Sequence, residues 1–107
     1  MQEVVADLIQ LSRSSIEHLT TESGNEEVSE GLAYAEAYAR VAALYGDVEA
    51  IYHLAHVLIS RAECLELMGH GELALPLRVE ILTHIDRLAD DGDPLATEAL
   101  ESLATSF

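Results

Sequence analysis

The chain contains no lysine and no tryptophan, one phenylalanine and one cysteine in 107 residues. Each scarcity removes a class of protein. A lone Cys64 cannot form an intramolecular disulfide, so covalent cross-links do not hold the fold. Five arginines, Arg13, Arg40, Arg61, Arg78 and Arg87, are the only permanent cations, and they fall roughly one to a helix, so no basic stripe is available to neutralise a phosphate backbone. Nucleic acid is therefore not an expected partner. Apolar stretches are interrupted every few positions and none reaches the roughly 20 residues that a membrane span needs. The first twenty residues lack a basic start followed by an apolar core, so cytoplasmic residence without a membrane is the default expectation. The few aromatics, four of them tyrosine, also argue against a β-sandwich.

Alanine, leucine and acid fill the space. Twenty acidic residues against five basic ones give a formal charge of -15. That charge keeps a small Ala-rich protein soluble, repels anionic membranes and steers cationic peptides or proteins toward the surface. Half of the residues are apolar, enough for the core of one helical domain over residues 1–107.

Periodicity places five helices. Val5, Leu8, Ser12, Ile16 and Leu19 recur at three- and four-residue steps, predicting a helix over 2–20. Gly24 is a candidate terminator and Asn25 a candidate cap for a second helix reaching Tyr45, with Leu32, Ala35, Tyr38, Ala39 and Ala42 on a mostly small inner face. A third helix follows Asp47, carries Ile51, Leu54, Ala55, Leu58, Ala62 and Leu65, and stops at Met68-Gly69-His70-Gly71; it should be the most buried. Pro76, expected only in a first turn, sets the start of the fourth near Glu72, and Leu77, Ile81, Ile85, Leu88 and Ala89 form its face. The fifth begins at Pro94 after the cap Asp93, with Ala96, Ala99, Leu100 and Leu103 as a narrow stripe. Short connections make successive helices antiparallel neighbours.

One piece of punctuation occurs twice, 46 residues apart: Ala43-x-x-Gly46-Asp47-x-x-Ala50-x-x-x-Leu54 and Ala89-x-x-Gly92-Asp93-x-x-Ala96-x-x-x-Leu100. Each copy ends a helix on a small residue, turns through a left-handed glycine and caps the next helix with aspartate. A fixed period in this range marks helical arrays. The spacing resembles the Sel1-like branch of the tetratricopeptide superfamily, Tyr45 to Ala55 being the nearest match. In that family alanines and glycines mark tight helix crossings, positions held here by Ala43, Gly46, Ala50 and Leu54 and again by Ala89, Gly92, Ala96 and Leu100. Leu67 to Ala74 resembles the turn inside a tetratricopeptide unit. The resemblance covers residues 35–103 and implies about five antiparallel helices in a short right-handed α-α superhelix. The period exceeds what either family uses, which an extension of helix three by about two turns would explain. A closed five-helix bundle with matching caps is the competing arrangement.

The chemistry-bearing residues form no catalytic pattern. His53 and His56 stand three apart, a spacing that can share a metal, with Glu49 and Glu63 as distant third ligands, but no metalloenzyme spacing is present, and no metal or cofactor is expected. His18, His70 and His84 add no second motif. Cys64 sits among Ser60, Arg61 and Met68 and reads as a small buried hydrophobe. Tyr38 and Tyr45 are expected to pack between helices, whereas Tyr34, Arg40, His53, His56 and Arg61 are the candidate lining of a partner-binding groove. The expected function is a non-enzymatic scaffold that binds a protein or peptide, possible also as a homodimer; the alternative is an acidic mimic or inhibitor of a basic protein surface.

Overall fold

A computed structural model describes residues 2–17, 19 and 24–106; the side chains of residues 2, 25, 100 and 102–106 lie outside the description, and with them the expected stripe residues Leu100 and Leu103. The protein is all-α: α1 spans Gln2–Glu17, α2 Asn25–Ala43, α3 Val48–Leu67, α4 Gly71–Asp90 and α5 Pro94–Ser106, with no strand among the described residues. Each helix starts 23 residues after the one before it, at 2, 25, 48, 71 and 94. The 46-residue repeat is thus two equal helix-turn units. Its length does not come from an extended third helix: α2, α3 and α4 have 19, 20 and 20 residues.

The corners explain the regularity. Gly46, Gly69 and Gly92 have φ of 76°, 82° and 89°, a left-handed backbone that a Cβ disfavours. At Gly69 the His70 N–H donates to the Leu65 carbonyl at 2.8 Å and the Gly69 N–H to Glu66 at 3.1 Å; at Gly92 the Asp93 N–H donates to Leu88 and the Gly92 N–H to Ala89, both at 3.0 Å. This crossed pair satisfies two of the carbonyls that a helix end leaves free. Asp47 Oδ1 then accepts from the Glu49 and Ala50 N–H groups, and Asp93 Oδ2 from Ala96 N–H, so both aspartates cap as their positions predict.

Four boundaries differ from the sequence expectation, one being the end of α2, at Ala43 rather than Tyr45. Gly24, with φ -71°, does not terminate α1 in a left-handed turn; it is the N-cap of α2, and Asn25 is the first helical residue. α1 ends at Glu17, and His18 and Thr20 lie outside the described residues. α4 starts at Gly71, which puts Pro76 in the second turn rather than the first. The missing Pro76 N–H leaves the Glu72 carbonyl without its helical donor, tolerable because both residues are exposed and water can serve it.

Packing repeats in the same register. Ser12, Ala35, Leu58 and Ile81, each 23 residues from the next, are all buried, and so are Ala39, Ala62 and Ile85 one turn later. α3 contributes most to the core, with Ala50, His53, Leu54, Ala55, Val57, Leu58 and Ala62 buried. Among the described residues every helix packs on its sequence neighbours, α1 also meets α3, and α2 and α4 come no closer than their side chains. The body measures 40 × 38 × 20 Å, two helix layers thick at the roughly 10 Å spacing of packed helices. Its radius of gyration, 14.3 Å, exceeds the roughly 13 Å of a compact chain this long. Gly31 lets α1 and α2 cross closely: a Cβ there would lie 2.9 Å from the Ser15 carbonyl oxygen.

Candidate functional site

A groove of about 810 Å³ opens between α2 and α4. α3 supplies the floor with Ile51 and the buried Leu54; Arg40 and Val41 of α2 with its C-cap Leu44 form one wall, and Glu80, His84 and Leu88 of α4 the other. Gly46, Gly92, Asp93 and Pro94 lie at its mouth, so the two repeated corners frame it. The gap follows from the layering, since α2 and α4 rest on α3 without touching through their backbones. Its rim is apolar on one side, where Leu44 is 84% exposed and Val41 and Val48 nearly half, and charged on the other, where Arg87 and Asp91 are exposed.

An ion pair straps the two walls together. Arg40 donates from Nη1 and Nη2 to the two carboxylate oxygens of Glu80, at 2.6 and 2.9 Å, a two-pronged geometry. That hydrogen bond holds the Glu80 carboxyl below its ordinary pKa, with His84 Nε2 3.1 Å away adding to it, and raises the Arg40 guanidinium further. Arg40 also lies 3.4 Å from Glu36, whose Oε2 accepts from Arg61 Nη1 at 2.6 Å. The other Glu36 oxygen is buried without a protein partner. Tyr52 on α3 donates to Asp93, the cap of α5, and burial together with that carboxylate pushes the phenol up to about 12.

The expected groove residues therefore separate. Arg40 is part of the groove wall, but Arg40 and Arg61 are engaged by Glu36 and Glu80 rather than open to an incoming acidic group. His53 is 9% exposed and turned inward. Its Nε2 lies 2.7 Å from Ser12 Oγ, and because that hydroxyl's one proton goes to the Ala35 carbonyl at 2.7 Å, His53 must be the donor. Burial, helped by Arg13 and His56 and opposed by Glu49, lowers the His53 pKa and keeps the ring neutral. His56, one turn on, is exposed, as is Tyr34 at 58%. Neither lines the α2–α4 groove. No three metal-ligating side chains cluster among the described residues.

Other positions fall as follows. Tyr38 is half-buried as expected, whereas Tyr45, expected between helices, sits in the turn after α2 and is exposed; the helix ends at Ala43, so Tyr45 leaves the packed face. Cys64 is half-buried against Met68 Sδ at 3.8 Å. Arg78 pairs with Glu66 across the α3–α4 corner, its Nε donating at 3.0 Å. No described helix is long and apolar enough to cross a membrane. The sequence carried signals for two features left unread there: Ser12 interrupts an otherwise apolar stripe, and Tyr52 lies 41 residues before the cap it meets. No protein-family model matches the chain, and no curated protein or solved structure is significantly similar to it.

Proposed function

We propose that the chain is a non-enzymatic, cytoplasmic interaction module of the short helical-repeat kind, which receives a protein or peptide in the groove between α2 and α4. The groove carries this reading: a concave apolar floor, exposed apolar residues along one side of the rim and walls tied by an ion pair are the features of a surface that works by shape. The equal 23-residue units support a repeat; that it is a right-handed array of the Sel1-like or tetratricopeptide type rests on the sequence resemblance at the corners, and the 46-residue helix pair is longer than the about 34 residues of a tetratricopeptide unit. Binding would proceed by complementarity and steering, with no turnover.

A photo-crosslinking residue at Leu44 tests this in the native host. A discrete adduct is expected, absent when the crosslinker is at exposed Glu98 and lost in the Val41→Asp/Val48→Asp variant; adducts indifferent to those changes would refute a groove function. The second reading, an acidic mimic, draws on the three arginines, Arg40, Arg61 and Arg78, already taken up by intrachain carboxylates, which leaves the outward charge strongly negative. It predicts association that weakens steeply with salt.

A further inference from the structure

The repeat sets an internal interface and an outer edge in the same register. α4 repeats α2 at a shift of 46 residues, so Glu36 and Arg40 on α2 and its C-cap Leu44 correspond to Leu82, Asp86 and Asp90 on α4. On α2 this row faces the next helix of its layer, and Arg40 meets Glu80 there. On α4 no described helix lies beyond the row. Toward the N-terminus the row continues through Val79 and Leu75, which with Leu82 stand at three- and four-residue steps on one face. Leu75, Val79 and Leu82 are 63%, 56% and 38% exposed. The ridge continues the edge that on α2 meets α4 through the Arg40–Glu80 pair, but it is apolar and has no described helix beyond it.

Charge distinguishes among the helices that could cover it. Inside the array the row offers a cation, Arg40, and the incoming helix a carboxylate, Glu80. At the edge the polarity is reversed: Asp86 stands where Arg40 stands, Asp90 follows one turn later, and Glu72 precedes Leu75 by three residues, all exposed. Arg78, on the near side of the ridge, is held by Glu66. A second copy, itself at -15, would approach against the field.

We propose that the outer face of α4, Leu75, Val79, Leu82 and Asp86, docks an amphipathic helix of a partner protein. That helix places aliphatic side chains on the ridge and a lysine or arginine against Asp86, taking the position relative to Asp86 that α4 takes relative to Arg40. This surface is separate from the α2–α4 groove, and either can fail without the other.

The probe is a labelled synthetic helix about 20 residues long, leucines along one face and lysines beside them, titrated by fluorescence anisotropy into the full chain at physiological ionic strength. Saturable one-to-one binding is expected. Val79→Glu and Leu75→Ser should each weaken it about tenfold or more, and Asp86→Lys should weaken it while gaining affinity for the same helix with glutamates in place of lysines. The groove variant Leu44→Asp should bind unchanged. Binding that ignores Val79→Glu and Leu75→Ser would mean diffuse attraction to an acidic surface and overturn the proposal. So would a self-associated chain, seen by sedimentation, that Val79→Glu dissociates, because a second copy would then be the occupant.

Discussion

Four of the glycines do three different jobs, and replacing each of these by alanine should separate them. Gly46 and Gly92 have φ of 76° and 89°, and a Cβ built on either meets nothing within 4 Å. Steric crowding therefore contributes nothing, and the whole penalty is the left-handed backbone, about 1–2 kcal/mol for an L-residue. Alanine also restricts the unfolded chain, which returns about 0.4–1 kcal/mol. A net loss of about 1 kcal/mol remains, or about 4 °C in Tm for a chain of this size. Gly71 opens α4 with the same empty surroundings but a helical backbone, so Gly71→Ala should raise the melting temperature, by up to about 1 kcal/mol of stability. Gly31→Ala fails for another reason: its Cβ would press on the Ser15 carbonyl at 2.9 Å and Leu19 Cδ1 at 3.1 Å, and since backbone does not yield cheaply the cost should be about 1–3 kcal/mol. Thermal melts followed by circular dichroism measure all of these. If Gly46→Ala and Gly92→Ala melt like Gly71→Ala, the corners are not where the geometry of the helix layers is set.

Three further outcomes follow from buried contacts. Because burial holds His53 below its ordinary pKa, the unfolded chain protonates first on acidification; stability should be full above about pH 6.5 and fall below it until the folded ring also protonates, and His53→Gln should flatten that slope in urea titrations. Tyr52→Phe should cost about 1 kcal/mol in denaturant melts and abolish the phenol that ionises at about 12 in ultraviolet titration of the native protein; with its folded pKa raised, the Tyr52 contribution is present at neutral pH and lost as pH climbs from about 10. Leu58→Ala at a fully buried position should cost about 2–5 kcal/mol, whereas Leu67→Ala, at 89% exposure, should move stability by less than about 0.5 kcal/mol; similar losses at the two sites would contradict the assignment of the core.

The helices and their corners were legible because apolar spacing and turn chemistry are local. Gly46-Asp47 and Gly92-Asp93 stood out as a pair; Gly69, halfway between them, was legible as a helix stop but not as a third copy, since the residue after it is His70 and no carboxylate completes the motif. Backbone hydrogen bonds, rather than cap identity, make Gly69 equivalent to Gly92, and that equivalence converts a 46-residue repeat into two 23-residue units. Site geometry was less legible. Ser12 and His53 lie 41 residues apart and Arg40 and Glu80 lie 40 apart, so only the stacking of three helices brings them together. The arginines illustrate the limit: a lone cation in an acidic sequence reads as available, yet the nearest carboxylates in space belong to other helices and neutralise it first. Pro76 shows a different failure, where a rule about hydrogen-bond donors gave way because Pro76 and Glu72, whose carbonyl loses its donor, are both exposed residues.

Antiparallel units of equal length send alternate corners to opposite rims. Gly46 and Gly92-Asp93 share the rim at the groove mouth, leaving Gly69-His70 to the other. An engineered duplication of 46 residues would lengthen the slab with aspartate caps kept along one margin. A graft of 23 would invert every following helix and exchange the chemistry of the two margins.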